Sequence, residues 1–152
     1  METPRLEYCF ALEAQVGKPL TLGTKDGVTR RMIPILGGAF AGPGIRGTVR
    51  PGGEDWQFVA EGGFTELDAH YVIETDDGVA IEVRNQGVRG GPPEVMQRLA
   101  AGLAVAPDEY YFRTAPRFYP LDGKYSWLRE SLFIGMGERY PDSVVIHVWR
   151  VA

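Results

Sequence analysis

Acidic residues beside aromatic ones are the first candidates for chemistry in this sequence. Asp55 comes shortly after Gly52 and Gly53 and directly precedes Trp56. A carboxyl group that is partly buried beside an indole has a raised pKa, so it can act as a general acid or base near neutral pH. The alternative is a carboxylate that only caps the preceding turn through local hydrogen bonds. The sequence leaves both interpretations open.

A second acidic residue, Asp68, lies in a segment that alternates between two faces. One face carries Leu67, Ala69, Tyr71 and Ile73, and the other carries Asp68, His70, Val72 and Glu74. If the second face lines an internal cavity, Asp68 and His70 are aimed at a ligand, and His70 can serve as a base. If the first face is inside, both are solvated surface residues. Alternation alone does not decide between the two.

Tyr111 and Arg113 share a face of another predicted strand, which is rich in aromatic residues. An arginine in this setting can bind a carboxylate or a phenolate, and it can equally form a structural ion pair with Asp55 or Asp68. We therefore predict Asp55, Asp68, Tyr111 and Arg113 as catalytic residues. The predicted substrate-binding residues are Arg46, Trp56, His70, Phe118, Tyr125 and Trp127. Tyr125 and Trp127 fit either a lid over a pocket or a plug at a barrel end.

Other motifs favour structural interpretations. Residues 42–47 match the dinucleotide pattern GxGxxG, but a strand rather than a helix is predicted to follow them, so a bend or bulge is expected there. The single cysteine, Cys9, excludes an internal disulfide and a cysteine-based zinc site. The two histidines are far apart, and residues 76–78 lack the further ligands of a calcium loop. No metal and no cofactor are predicted.

The elements that must position these residues are predicted as short strands. The chain of 152 residues has 20 Gly and 11 Pro together with 17 aromatic residues, which is typical of a folded all-β protein with many turns. We predict one domain, residues 1–152, forming an antiparallel up-and-down, lipocalin-like β-barrel of eight to ten strands with one short helix near 93–103. The predicted strands span 6–16, 28–36, 46–50, 55–60, 67–75, 79–87, 109–115, 131–137 and 144–151, and a loop is expected over 118–128.

Charge and hydropathy restrict the partners. The net charge of −4 argues against nucleic-acid binding, which usually requires a basic excess. The N-terminal residues lack a secretory pattern, and no apolar run is long enough to span a membrane. We expect a cytoplasmic protein with a small-molecule ligand or substrate and no nucleic-acid or membrane partner, and homo-oligomer formation stays open.

Several segments together resemble a known family. They are residues 42–56, residues 67–71 with 75–78, residues 110–118 and residues 125–128. Their order and spacing resemble the domain of unknown function 3237 family, also called uncharacterised protein family 0311, over about residues 6–151. The resemblance implies a small soluble β-barrel and an accessory role in small-molecule or aromatic metabolism. Asp55, Asp68, Tyr111 and Arg113 match its recurrent polar pattern. The family usually has Arg where this chain has His70, so a shared catalytic role at that position is not expected.

Two main hypotheses about function follow. The first is a cofactor-independent lyase or isomerase that transfers protons on a small aromatic or carbonyl compound inside the barrel. Asp55 or Asp68 would be its acid or base, and Arg113 and Tyr111 would stabilise an oxyanion. The second is a non-catalytic protein that binds a small molecule in the same pocket. A third, a structural protein that dimerises through a barrel edge, has less support.

Overall fold

The described residues form a strand-rich fold with one α-helix. The computed structural model describes residues 1–121 and 123–152. The helix α1 spans Pro93–Ala100, and short 3₁₀ turns lie at Pro107–Glu109 and Ser126–Leu128. The ten strands are β1 (Leu6–Val16), β2 (Leu20–Lys25), β3 (Val28–Ala41), β4 (Arg46–Val49), β5 (Gly53–Ala60), β6 (Thr65–Thr75), β7 (Ala80–Gly90), β8 (Tyr111–Tyr119), β9 (Leu132–Arg139) and β10 (Ser143–Val151).

The ten strands occupy only eight positions around a closed barrel. Strands β1 and β2 lie one after the other along the same edge of β3, and β4 and β5 do the same between β3 and β6. Strands β6 to β10 follow in chain order, and β10 pairs with β1 to close the barrel. All pairings are antiparallel and join adjacent positions around the barrel, so the predicted up-and-down antiparallel β-barrel is confirmed.

One end of the barrel interior is filled by aromatic side chains. Phe10 packs against Phe40 and Phe118 with ring centroids 5.5 and 5.7 Å apart, and Phe118 packs against Phe133 at 5.2 Å. Tyr125 is also fully buried within this core. Edge-to-face contacts of this kind stabilise a packed interior beyond simple burial. This end is therefore solid, and space for a ligand has to lie elsewhere in the barrel.

Two of the three glycines of the GxGxxG match allow strands to approach closely, as the interpretation of a bend or bulge expects. A Cβ atom added to Gly42 would lie 1.8 Å from the Cys9 carbonyl oxygen, and one added to Gly47 would lie 1.9 Å from the Glu74 carbonyl oxygen. No side chain fits at either position without moving a neighbouring strand. Within the described residues this segment leads into β4 and not into a helix, so the nucleotide-binding geometry is absent.

Three element predictions need correction. Strand β2 was not predicted, because its residues are all exposed and it is held through backbone pairing with β3, which leaves no hydrophobic pattern. Strand β3 continues through the glycine-rich segment to Ala41. Helix α1 ends at Ala100, not near 103, since the chain turns at Gly102 with φ +75°.

The predicted loop 118–128 also differs from the structure. Its start belongs to β8, which runs to Tyr119, and its end forms the second 3₁₀ turn. The loop prediction includes Asp122, which lies outside the described residues. In the part of the chain that the structure describes, no helix has the length and apolar character needed to cross a membrane.

Candidate functional site

A small cavity with a mostly apolar lining lies inside the barrel, away from the aromatic end. Its volume is about 50 Å³. The lining residues come from eight strands and are Leu12, Ala14, Val16, Ile33, Ile35, Asp55, Gln57, Leu67, Ala69, Tyr71, Asn85, Arg89, Phe112, Arg139, Val144 and Ile146. Val16, Arg139 and Val144 are only half-buried, so they mark the rim, whereas most of the other lining residues are buried. The cavity combines an apolar wall with a few charged groups, which is the usual composition of a ligand site.

Asp55 is the one carboxylate among the residues that line this cavity. Its Oδ2 atom accepts a hydrogen bond of 2.8 Å from Gln57, whose own Oε1 accepts one of 2.8 Å from Arg31 Nε. Gln57 is fully buried, so this relay fixes one side of the carboxyl group. The other oxygen, Oδ1, is shielded from solvent and has no hydrogen-bond partner among the residues described. An unpaired oxygen of this kind is available to a ligand.

Burial raises the pKa of the Asp55 carboxyl group above its ordinary value of 3.8. The hydrogen bond from Gln57, the charge of Arg89, the nearby backbone N–H of Asp68 and the charge of Arg31 act in the opposite direction but do not cancel the desolvation. A carboxyl group that holds its proton more tightly than usual can donate it to a substrate and recover it afterwards. The setting that the sequence suggested for Asp55 is present, although the group lies in the lumen and not simply beside the Trp56 indole.

The raised pKa of Asp55 predicts a specific dependence of stability on pH. Between pH 4 and the folded-state pKa, the folded protein holds a proton that the unfolded chain has lost, so stability falls as the pH rises. Asp55→Asn removes this effect while keeping the shape of the side chain. We expect the variant to be more stable than the wild type at pH 7 and the difference to shrink towards pH 4. Urea unfolding of both proteins from pH 4 to pH 8 measures this difference in the free energy of unfolding. If the wild type becomes more stable relative to the variant as the pH rises, the raised pKa of Asp55 is contradicted.

Two arginines, Arg89 and Arg139, also line the cavity. Arg89 on β7 is only 4% exposed, its guanidinium lies 5.1 Å from the Phe112 ring centroid, and its Nε atom has no hydrogen-bond partner within the described part of the chain. Burial and the charge of Arg139 lower the pKa of Arg89 to about 10, so it is still a cation at neutral pH. Arg139 on β9 donates through Nη1 to the carbonyl oxygens of Tyr140 and Ser143, at 2.5 and 3.1 Å. The cavity therefore carries an excess of positive charge.

Tyr71 and Asn85 complete the polar lining next to Asp55. Burial, together with the Asp55 charge, raises the pKa of the Tyr71 phenol well above its ordinary value, so it is a neutral hydrogen-bond donor. Asn85 lies two strands from Asp55, and the register places the small Ala69 between them. Its Oδ1 atom is buried and unpartnered among the described residues, as is Asp55 Oδ1. The short methyl group of Ala69 leaves room for a ligand to reach both oxygens.

Asp68, His70 and Trp56 lie on the outer surface and not in the lumen, which corrects the expectation that acids on both strands share one cavity. Leu67, Ala69 and Tyr71 take the inner face of β6, so the alternating residues point outward. Asp68 forms an ion pair of 2.9 Å with Arg84, and His70 contacts Glu82 at 2.6 Å. The Arg84 partner lowers the pKa of Asp68 below its ordinary value, which makes it a poor proton donor at neutral pH.

Tyr111, Arg113 and Arg46 are also outside the barrel. Strand β8 points Phe112, Thr114 and Phe118 inward, which leaves Tyr111 and Arg113 on the outer face. The Arg113 guanidinium lies 5.1 Å from the Tyr111 ring centroid and donates to the Phe112 carbonyl oxygen. Arg46 pairs with Asp76 at 3.1 Å in an exposed position. None of the three lines the lumen cavity, so the structure does not bring them together with Asp55.

Phe118, Tyr125 and Trp127 belong to the solid end of the barrel. The Tyr125 hydroxyl donates a hydrogen bond of 2.8 Å to Asp77 Oδ1. Trp127 is partly buried and packs against Phe133, with ring centroids 6.1 Å apart. The plug interpretation fits these contacts, whereas the interpretation as a pocket lid does not, because none of the three lines the cavity.

Sequence reasoning missed most of the residues that surround Asp55, although a signal was present. They are Arg31, Gln57, Tyr71, Asn85, Arg89 and Arg139. On β7, Asn85 and Arg89 lie on the same face of the strand as Ile81 and Val83, which are fully buried. Polar residues that continue an apolar face of a strand are candidates for the lumen of a barrel. Applying this rule to β7 would have found Arg89.

These features define the class of protein as an up-and-down antiparallel β-barrel, plugged at one end and holding a small charged cavity at the other. The described residues contain no group of three or more His, Cys, Asp or Glu side chains arranged to hold a metal ion. The chain belongs to the family described as protein of unknown function DUF3237, whose model matches residues 4–151.

Similar proteins come from bacteria and from a fungus. A UPF0311 protein of Rhodopseudomonas palustris is 45% identical over 151 residues, which cover 98% of this chain and 99% of the relative. The hydroalkoxylation enzyme of Penicillium herquei is 34% identical over 80 residues, which is 53% of each chain. The family is shown by the first comparison, whereas the second covers too little of the chain to carry an activity over.

Solved structures show the same fold. The crystal structure of a conserved protein of unknown function from Rhodopseudomonas palustris is 41% identical, with full coverage of both chains and a TM-score of 0.96. A β-barrel-like protein of Acinetobacter baumannii is 33% identical, with coverage of 100% and 98% and a TM-score of 0.87. An enzyme from Penicillium herquei is 24% identical, with coverage of 100% and 97% and a TM-score of 0.73, which shows the fold alone.

Proposed function

We propose that this barrel is an enzyme that transfers protons on a small organic molecule bound in its lumen, with Asp55 as the catalytic acid and base. One observation carries the proposal: a shielded carboxyl group with a raised pKa points an unpartnered oxygen into the cavity. Unusually titrating groups in clefts are enriched at catalytic sites. The reaction falls in the lyase and isomerase range, because proton transfer at one carboxyl group makes and breaks bonds to carbon without changing oxidation state.

The fungal relative suggests one reaction within this range. It is called a hydroalkoxylation enzyme, and hydroalkoxylation adds an O–H bond across a carbon–carbon double bond. Protonated Asp55 would give its proton to one alkene carbon, and the substrate hydroxyl oxygen would form a bond to the other. The hydroxyl proton then returns to the Asp55 carboxylate, so the acid is regenerated and the product is an isomer of the substrate.

The other cavity residues fit supporting roles in this reaction. Tyr71 is a neutral donor close to Asp55 and can hold the substrate oxygen in place. The apolar wall, which includes Leu67 and Ile146, keeps water away from the cationic carbon. The present volume of about 50 Å³ is below the 300–1,000 Å³ usual for organic ligands, so the side chains at the rim, Arg139 above all, must move when a substrate enters.

An isotope experiment tests the proposed function. The protein is incubated in D₂O with 2-(3-methylbut-2-enyl)phenol, which has a hydroxyl group and a trisubstituted alkene placed for ring closure. We expect 2,2-dimethylchroman with one deuterium at C3, detected by mass spectrometry and NMR, to form faster than in a protein-free control. Labelled product at no more than the control rate would overturn the hydroalkoxylation proposal.

A further inference from the structure

The charges inside the lumen do not balance, and this imbalance points to the class of ligand. Arg31, Arg89 and Arg139 all interact electrostatically with Asp55, and Arg139 also interacts with the exposed Asp142. Among the residues that line the cavity, the two arginines Arg89 and Arg139 stand against the one carboxyl group of Asp55, so positively charged side chains outnumber carboxyl groups. Buried charges are costly unless a counter-charge or hydrogen bonds compensate them. A barrel that keeps three cations near its lumen is suited to an anion.

The three arginines differ in what they already bind. Arg31 donates to Gln57, and Arg139 donates to two backbone carbonyl oxygens at the rim. Arg89 is the most buried of them, at 4% exposure, and its Nε atom has no partner among the residues that the structure describes. Arg89 is therefore the arginine whose donor is left for a ligand.

The surroundings of Arg89 specify the rest of the ligand. Its guanidinium lies near the face of Phe112, and apolar side chains such as Leu67 and Ile146 form the adjacent wall. A guanidinium binds carboxylate oxygens through paired hydrogen bonds, and an apolar wall favours an uncharged carbon body. A small inorganic anion would satisfy Arg89 but leave this wall uncovered.

We propose that the lumen binds small organic carboxylates with Arg89 as the residue that pairs with the carboxylate group. This inference rests on the proposed function, because it names the substrate class of the same site. The carbon body lies towards Leu67 and Ile146, which brings the reacting part of the ligand to the unpartnered oxygens of Asp55 and Asn85. In this arrangement Arg89 binds the carboxylate group of the substrate, which is not the part that reacts.

Benzoate and its uncharged analogue benzamide are the probes for this proposal. Isothermal titration at constant ionic strength is expected to show benzoate binding to the wild type and benzamide binding at least about 10-fold more weakly, because a hydrogen bond between charged groups contributes more than a neutral one. Equal affinity for the two compounds, or no benzoate binding, would overturn the proposal.

Two substitutions at Arg89 and one control locate the contact. Arg89→Met is expected to weaken benzoate binding about 10- to 100-fold without losing the fold, since an apolar side chain is well tolerated where a buried charge was unpaired. Arg89→Lys keeps the charge and is expected to retain part of the affinity. Arg113→Met, on the outer face, is the matched control and is expected to bind benzoate like the wild type. Unchanged binding by Arg89→Met, or equal losses in Arg89→Met and Arg113→Met, would contradict the contact.

The result is separable from the proposed function. Binding is measured without turnover, so benzoate binding that depends on Arg89 supports the anion site even if the isotope experiment fails. Conversely, labelled product from the isotope experiment with no benzoate binding supports the proton-transfer proposal and overturns this one.

Discussion

Asp55→Asn is expected to lower the rate of deuterium-labelled product formation by about 10²- to 10⁴-fold, which is the usual contribution of a general acid or base. Asparagine has nearly the same shape as aspartate but holds no proton that it can donate to an alkene carbon. The loss therefore reports on chemistry and not on packing, and the expected gain in stability at pH 7 makes unfolding an unsuitable explanation. Initial rates measured by mass spectrometry at pH 7, with circular dichroism of both proteins, check the prediction.

Asp68→Asn is the matched control for this experiment. The substitution is chemically identical, and Asp68 lies on the neighbouring strand, but its side chain points outward to Arg84. A surface ion pair contributes at most about 1 kcal/mol, so the rate and the fold should change little. An Asp55→Asn enzyme as active as the wild type, or an equal loss of rate in both variants, would exclude Asp55 as the proton donor.

Gly47→Ala is expected to cost about 3 kcal/mol or more of folding free energy, a large share of the total for a domain of this size. The added Cβ atom would lie 1.9 Å from the Glu74 carbonyl oxygen and 2.8 Å from Thr75 Cα. Both are backbone atoms of β6, so no side chain can move to relieve the contact. The pairing of β4 with β6 must shift, and this pairing is part of the continuous sheet that forms the barrel. Urea unfolding at pH 7 measures the loss.

Gly44→Ala, three residues earlier, separates this effect from a general need for glycine. A Cβ atom added to Gly44 meets nothing within 4 Å, and the residue does not have the left-handed φ that strains other residues. Its stability should stay within about 0.5 kcal/mol of the wild type. A Gly47→Ala protein with wild-type stability would show that the strands can separate without cost, against the close approach seen here.

The fold could be predicted largely because its strands have one apolar face and end at glycine or proline. Strand β6 alternates along its whole length, and the hairpin to β7 turns at residues 76–78, near the predicted position. Strand β2 could not be found in this way, since an exposed strand held through backbone pairing leaves no pattern in side-chain hydropathy. Such a strand can be recognised only when the three-dimensional position of its partner strand is known.

The site was predicted less well, because a cavity depends on which faces of several strands point inward together. Asp55 was predicted from its local setting, whereas Asp68 was predicted on the possibility that its face of the strand lines the lumen and on the polar pattern of the resembling family. The register pairs Asp55 with Ala69 and Trp56 with Asp68, so an inward Asp55 requires an outward Asp68. The alternating pattern of one strand does not show which of its residues pair with those of the neighbouring strand. In β7, by contrast, Arg89 falls on the same alternating face as the apolar residues Ile81 and Val83. A polar residue on an otherwise apolar face is the general signal for a side chain in a barrel lumen.

The proposed acid and the proposed anion site support each other physically. A carboxylate ligand beside Asp55 favours the neutral form of its carboxyl group, since two negative charges close together are unfavourable. Gln57, Tyr71 and the three arginines are the groups that face Asp55 from the surrounding strands. Anion binding would therefore help to keep the catalytic proton in place.

The central claim is that ligands bind at the polar end of the lumen and not in the grooves of the outer surface. Alanine methyl groups report on both places, because Ala14 and Ala69 line the cavity whereas Ala115 is exposed on the outer face of β8. The most direct measurement is a benzoate titration of ¹³C-methyl-alanine-labelled protein by NMR. We expect the Ala14 and Ala69 signals to shift and saturate while the Ala115 signal stays in place. A saturating shift of Ala115 with no change at Ala14 and Ala69 would contradict the account.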